Sequence, residues 1–362
     1  MLYHLSQCLT PYWGPFRLLG SYLLLLAGAA FSAAALTLFF LPKFWGRLPR
    51  DHGKAILGKD GMKSAGKPTG AGLFVTLFAL PVILLFAPLR PWDLATVAML
   101  YFAMLFGYLD DRAEVPWGQL KKGLLDAAVA LAIATFVFLG HAEAGRMEVW
   151  LPFTKFIWPV NAWIYIPCAA FLLWFTMNAT NCSDGVDGLA GTLTLVTLVM
   201  IAVLLYVVVG YSPVARYLLV PPNPLAAPWA VVTMAVAGAF GGYLWFNAEP
   251  SKILMGDAGS RFLGILVATA VLVAGNPFLI IALAPVVLVN GGGGLGKLLL
   301  LRGAKKIGMD IGEDSVIRRI RFPLHDHCKK NLGWSNAQVL LRFLLLQLVL
   351  MPLLLLLFIK VR

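Results

Sequence analysis

Apolar runs about twenty residues long recur along this chain, each closed by a shorter polar segment. A helix that crosses a bilayer needs about 20 largely apolar residues. The runs at 18–42, 70–90, 92–109, 121–140, 158–178, 187–210, 226–246, 260–274, 276–300 and 336–360 reach or approach that length. They predict ten spanning helices: an all-α polytopic membrane protein, with residues 1–362 as one domain. The run at 18–42 is too long for the apolar part of a cleaved leader and follows no charged segment. The composition agrees, with 60% hydrophobic and 13% charged residues. A soluble chain carries about 25% charged residues.

Ten crossings put both termini on one side and five loops on the other. Those five loops and their flanks hold 21 of the 29 Lys and Arg residues, among them Lys63, Lys67, Lys121, Lys122, Lys252 and Lys329. Basic residues mark the cytoplasmic side. The net charge of +12 is thereby a topology signal and calls for no nucleic acid. Cys8, Cys168, Cys182 and Cys328 have no paired spacing, so neither a disulfide framework nor a zinc site is expected.

Acidic residues contribute little to topology, yet 14 of the 17 fall on that same face. Carboxylates at membrane depth are costly and point to function. Asp110 and Asp111 close the third run in Phe106-Gly-Tyr-Leu-Asp110-Asp111-Arg112. Adjacent acids repel, and a helix C-terminus disfavours negative charge. A divalent cation would offset both; a solvated helix end paired with Arg112 is the plain alternative. The segment Asn178-Ala-Thr-Asn181-Cys-Ser-Asp184-Gly185-Val-Asp187-Gly188 joins the fifth and sixth runs. Such a turn can line a polar pocket, or supply an N-cap for the next helix. Asp257, in Met255-Gly256-Asp257-Ala-Gly-Ser260, opens the eighth run either as a cap or as a further carboxylate for metal or substrate.

Two more segments carry candidate phosphate contacts. Pro323-Leu-His325-Asp326-His327 lies in a basic loop, and lacks partners for zinc. Lys63-Ser-Ala-Gly-Lys67-Pro-Thr69-Gly opens the second run, where helix N–H groups attract anions. Gly291-Gly-Gly-Gly-Leu-Gly296-Lys297 imitates a Walker A loop but has Leu298 where Ser or Thr is needed. It reads as a helix break or a close-packing site. Asp184-Gly185 lacks the Ala-Arg that would follow in a CDP-alcohol phosphotransferase. Carboxylates for Mg2+, basic groups for phosphates and polar turns for a head group, all beside lipid, describe phosphoryl transfer from a soluble activated donor to a membrane-embedded acceptor.

With these motifs in this order, the chain resembles the polyprenyl-phosphate N-acetylhexosamine-1-phosphate transferase superfamily over essentially its whole length. Within it the chain is most similar to the phospho-N-acetylmuramoyl-pentapeptide transferase family. The Asp110-Asp111 pair, the Asn181 to Ala190 run, Trp245-Phe-Asn247 and Met255 to Ser260 carry the likeness. The resemblance implies transfer of phospho-MurNAc-pentapeptide from UDP-MurNAc-pentapeptide to undecaprenyl phosphate in the bacterial inner membrane. The products are lipid I and UMP, the cofactor is Mg2+, the active site faces the cytoplasm, the termini are periplasmic and the assembly is a homodimer.

It also implies roles. Asp257 is the main Mg2+ ligand, Asp110 deprotonates or orients the lipid phosphate, and Asp111 supports the metal or the base. Asn181 and Asp184 bind the donor near its ribose and diphosphate; Gly185, Asp187 and Asn247 line the uracil pocket. Lys63, Thr69, Lys121, Lys122, His325 and His327 contact phosphates or sugar. The chain departs from the family pattern at Lys67 to Gly72, at Leu254 where a stacking Phe is usual, at Asp326 between the histidines, and in the ninth run, which lacks an acid. A sister enzyme that transfers GlcNAc-1-phosphate from UDP-GlcNAc is the near alternative. A secondary transporter would place acids at mid-membrane within repeated halves; here the acids sit at span ends.

Overall fold

The computed structural model describes residues 1–51, 64–115, 117–145, 148–151, 157–308, 315 and 319–360; Lys63 lies outside them. A short helix, α1 (Leu2–Leu9), and a 3-10 turn (Gly14–Gly20) precede the first long helix, α2 (Tyr22–Phe44). Then come α3 (Gly72–Phe86), α4 (Pro91–Arg112) and α5 (Gln119–Glu143). A small antiparallel hairpin follows, β1 (Glu148–Trp150) and β2 (Ile157–Pro159), with Val149 opposite Trp158. The chain continues as α6 (Ala162–Cys182), α7 (Leu189–Val203), α8 (Ser212–Tyr217), α9 (Ala227–Asn247) and α10 (Gly256–Val273). The last elements are α11 (Leu279–Leu283), α12 (Gly293–Lys306), α13 (Leu324–Leu332) and α14 (Asn336–Lys360).

Among the described residues, eight helices are long and apolar enough to cross a membrane. The protein is an all-α polytopic membrane protein. Two of the ten expected runs take other forms, each with a local cause. The second run is helical only over the 15 residues of α3. Pro88 disfavours helical geometry at Ala87, which is extended at ψ 124°. The ninth run is broken at Ala284, whose φ of −130° leaves the helix just before Pro285.

The break exposes backbone groups that water would satisfy elsewhere and that lipid cannot. Gln347 of α14 satisfies them. Its Oε1 accepts the Val286 N–H at 3.1 Å and its Nε2 donates to the Leu283 carbonyl at 2.7 Å. The same Nε2 reaches the Thr197 hydroxyl at 3.0 Å, which ties the clamp to α7. The glycine run after the break serves close packing. A Cβ at Gly291 would lie 1.8 Å from the Ala179 carbonyl of α6, and one at Gly292 would lie 2.6 Å from the Phe175 ring.

The core is organised around α10, in which every residue from Ala258 to Val273 is buried. Small residues let its neighbours come in closely, as packing between membrane helices requires. A Cβ at Gly72 would lie 2.1 Å from the Gly259 nitrogen, and one at Gly107 would lie 2.5 Å from the Asp257 carbonyl. Thus α3 and α4 both touch the first turn of α10 backbone to backbone. Large apolar side chains stay exposed on the outer helices, including Phe31 and Phe39 on α2 and Leu345, Val349 and Leu356 on α14. Lipid is their natural environment.

The molecule has two distinct ends. The N-terminal amine lies 3.3 Å from the Leu84 carbonyl, near the far end of α3. The opposite end of α3, at Gly72, adjoins Met255 and the start of α10. The first residue of α14, Asn336, donates to Glu249 at 3.0 Å on that second end. The 25 residues of α14 then run away from it, so the N-terminal amine and the last turn of α14 sit at the end remote from the start of α10.

Candidate active site

At the end where α10 begins, the loops enclose a cavity of about 550 Å³. Its walls include Thr69, Asp111, Asn181, Asp184, Gly185, Asp187, Asn247 and Asp257. All eight were expected from sequence, although they come from separate stretches of chain. Lys67 also lines it, as does Asp326.

The floor is built from α4 and α10. Asp111 turns both carboxylate oxygens toward the N-terminus of α10: Oδ1 accepts the Asp257 N–H at 3.0 Å and Oδ2 accepts the Ala258 N–H at 3.1 Å. These N–H groups have no partner inside their own helix, and the positive end of the helix dipole favours the carboxylate. Capping was one reading of Asp257 itself; the structure assigns the cap to Asp111, 146 residues away in sequence. Gly256 turns here at φ +68°, and a Cβ on it would meet Asp111 Oδ2 at 2.3 Å. Only glycine fits.

Beside this cap, two carboxylates share one ammonium. Lys122 of α5 is joined to Asp110 Oδ2, and its Nζ lies 3.6 Å from Asp257 Oδ2. Asp110 also accepts the Trp117 N–H at 2.9 Å, and it is only 8% exposed. Asp257 is the more open of the two, and it forms part of the cavity wall. Among the described residues, no three His, Cys, Asp or Glu side chains converge as a closed metal site. Mg2+ needs none: one or two carboxylates suffice when phosphate oxygens and water complete the shell. Asp257, open to the cavity with Asp111 at its side, could supply such an incomplete donor set.

The side walls are held by polar clamps between loops. The Asn247 side chain accepts the Gly188 N–H at 2.8 Å and donates to the Ile253 carbonyl at 2.8 Å. Asp187 accepts the Ser251 N–H at 3.1 Å, and Lys67 bridges to Ser251 Oγ at 2.9 Å and Asp187 Oδ2 at 3.7 Å. The N-cap position of α7 is Gly188, so neither Asp184 nor Asp187 is the N-cap residue that the sequence offered. The stretch 68–72 runs along 254–255, with Leu254 N–H bonded to the Pro68 carbonyl and Gly72 N–H to the Met255 carbonyl.

His325 sits behind the Gly185 turn, 2% exposed. Its backbone N–H donates to Asn290 Oδ1 at 2.9 Å and its Nδ1 lies 3.1 Å from the same oxygen. Nδ1 is then the protonated nitrogen, and Nε2 points at Gly185, where a Cβ would approach it to 2.2 Å. Burial holds this imidazole far down, at about 4, against the opposing pull of Asp326. It is neutral at pH 7.

Two expected contacts turn away. Lys121 places its ammonium 3.5 Å over the Trp117 ring, off the cavity. Adjacent helical residues differ by about 100° around the axis, so only one of Lys121 and Lys122 can face Asp110. His327 accepts the Arg321 N–H at 3.3 Å through Nδ1 and folds the basic loop instead of lining the cavity. Conversely, Asp51, Ser64, Glu249, Pro250, Lys329, Lys330 and Asn336 line it. Nothing in their sequence context marks Asp51, Glu249, Pro250 or Asn336; Ser64 falls inside the Lys63 to Gly70 segment, and the two lysines were visible as part of the basic loop.

The relatives of the chain fit this geometry. The family model described as glycosyl transferase family 4 matches residues 94–275, which include Asp110, Asn181 and Asp257. A phospho-N-acetylmuramoyl-pentapeptide-transferase of Treponema pallidum subsp. pallidum is 44% identical over 340 residues, covering 93% of this chain and 90% of the relative. A protein of the same name from Desulfotalea psychrophila is 30% identical over 366 residues, 97% of each chain. With a cavity walled by carboxylates at one end of a helical membrane bundle, and such identity along nearly its whole length, the chain belongs to the phospho-N-acetylmuramoyl-pentapeptide-transferase family.

Proposed function

We propose that the protein makes lipid I. It transfers phospho-MurNAc-pentapeptide from UDP-MurNAc-pentapeptide to undecaprenyl phosphate and releases UMP. The observation that carries this reading is the convergence of Asp110 and Asp257 on Lys122 beside a polar cavity at one end of the bundle. An oxygen of the lipid phosphate attacks the phosphorus that bears the sugar. The bond from that phosphorus to the bridging oxygen breaks, and UMP leaves with the electron pair.

The residues divide this work by position. Asp110, steadied by Lys122 and the Trp117 N–H, takes the proton of the lipid phosphate or orients it. Asp257 would hold Mg2+, with Asp111 fixing the turn that presents it and lining the cavity at its side. Bound there, the ion would neutralise the diphosphate and the charge that grows on departing UMP. Asn181 and Asp184 receive the ribose and diphosphate, Gly185, Asp187 and Asn247 the uracil. Thr69 contacts phosphate or sugar, whereas His325, expected to do the same, is buried behind Gly185 and supports that turn instead. Leu254, with Val186 and Pro250, gives the base an aliphatic wall in place of an aromatic one. Lys67, Lys329 and Lys330 line the cavity, which supports a cytoplasmic active site with both termini across the membrane.

The test uses the full chain in detergent with undecaprenyl phosphate and Mg2+. UMP release is expected with UDP-MurNAc-pentapeptide and not with UDP-GlcNAc, and chelation of the metal abolishes it. Release from UDP-GlcNAc alone would reassign the enzyme to the sister reaction. Full turnover after chelation would remove Mg2+ from the site.

A further inference from the structure

Two buried charges remain unused by this reaction. Asp126 lies on α5 and Arg261 on α10, 4% and 5% exposed. Arg261 donates through one Nη to Asp126 Oδ1 and through the other to Asp257 Oδ2 at 3.2 Å. It is thus a bridge, one helical turn past Asp257 on the same helix. The side chain of Asn178, on α6, is a further hydrogen-bond partner of Asp126. The Nε of Arg261 has no hydrogen-bond partner among the described residues, so the guanidinium is not placed to satisfy itself. It is placed to join two carboxylates. A buried ion pair is poor evidence for stability, since apolar residues often serve the core as well.

The bridge has two consequences for Asp257. Its Oδ2 is held from two sides, by Arg261 and by Lys122 at 3.6 Å, and Oδ1 carries neither contact. One rotamer is thereby selected. The second consequence is electrostatic. An Arg261 without Asp126 would give its whole charge to Asp257 and repel a divalent cation. Asp126 answers that charge, so Asp257 keeps its own for a ligand. We propose that Asp126 and Arg261 are positioning residues that set both the orientation of Asp257 and its affinity for a divalent cation. This rests on the assignment of Asp257 as the residue that holds Mg2+.

The test uses the full chain in detergent, with Mn2+ as the probe ion and free Mn2+ counted by electron paramagnetic resonance. Asp126→Asn keeps the shape and removes the charge. Its Mn2+ affinity is expected to fall about tenfold, the scale of one unit charge several ångströms away at intermediate dielectric. A folded Asp126→Asn variant with parental Mn2+ affinity overturns the proposal. The double variant Asp126→Leu/Arg261→Leu leaves no orphaned charge and carries the test if the single variant does not fold. It is expected to bind Mn2+ within about threefold of the parent while kcat falls about thirtyfold, because a loosened catalytic group loses its alignment. A folded double variant with parental kcat overturns the positioning role. A parent that releases UMP but binds no Mn2+ would instead refute the metal assignment, and with it this proposal. That result is distinct from either variant outcome.

Discussion

The start of α10 and the break before Pro285 pose the same physical problem. At each, backbone groups in a membrane bundle lack partners within their own helix, and a side chain from another helix supplies them. Asp111 does so at α10, with a carboxylate. Gln347 does so at the break, with an amide that both accepts and donates. The difference follows from what each site faces. Asp111 borders a cavity lined by polar groups, where water or a cation offsets its charge. Gln347 is wholly buried, where a charge would have no water to solvate it. A charged cap is thus used where a polar cavity lies beside it, and a neutral amide where the break is buried.

The sharpest way to break that comparison is to remove the charge that faces the cavity. Asp257→Asn keeps the hydrogen-bonding outline and should lower UMP release about 10³-fold, on the scale of losing one preorganised electrostatic group. Thermal stability should change little. Near-normal turnover would show that the charge at this end is not catalytic.

Replacing Asp111 by Leu comes next. It orphans the Asp257 and Ala258 N–H groups together. Two orphaned N–H groups make the expected loss about 2–4 kcal/mol of stability. Activity should fall with it, because the turn that presents Asp257 loosens. A thermal unfolding midpoint equal to the parent's would show that the cap is dispensable.

A neutral clamp can be attacked by pH. His325 is held neutral between Asn290 and the Gly185 turn. Its folded value, about 4, lies below its ordinary 6.5. The stability this gives is fully present above pH 6.5 and is lost as pH falls toward 4. The loss at pH 4 is on the order of 3 kcal/mol. The His325→Gln variant should flatten the slope of unfolding midpoint against pH in that window. An unchanged slope would assign the acid sensitivity to other groups.

The two clamps were not equally legible in the sequence. The spans could be read because an apolar run of helical length needs no partner to be seen. Asp110, Asp257 and the Asn181 to Asp187 turn could be read because acids at span ends are costly. Pairings were hidden, since 146 residues separate Asp111 from the Asp257 N–H it caps and 135 separate Arg261 from Asp126. One signal was available. Asp126 and Arg261 are opposite charges inside the predicted spans 121–140 and 260–274, where an ion needs a partner. The choice between Lys121 and Lys122 depends on the rotation of α5, and spacing alone leaves that open.

Gln347→Leu is the matching substitution at the neutral site, and its effect should be the smallest. Three bonds are lost, but only one group is left without a partner. The Leu283 carbonyl still receives the Thr197 hydroxyl at 2.9 Å, and that hydroxyl also bonds to Leu193. The Val286 N–H is orphaned, at a cost of about 1–2 kcal/mol, and leucine returns part of this through its own burial. Turnover at low temperature should stay near parental, because the break lies away from the cavity walls. Adding Thr197→Val removes the remaining donor to Leu283. The double variant should then lose more than the two single losses combined, since the groups share one acceptor. Strict additivity, measured by thermal unfolding of all three variants, would show that the break is held by packing and not by this clamp.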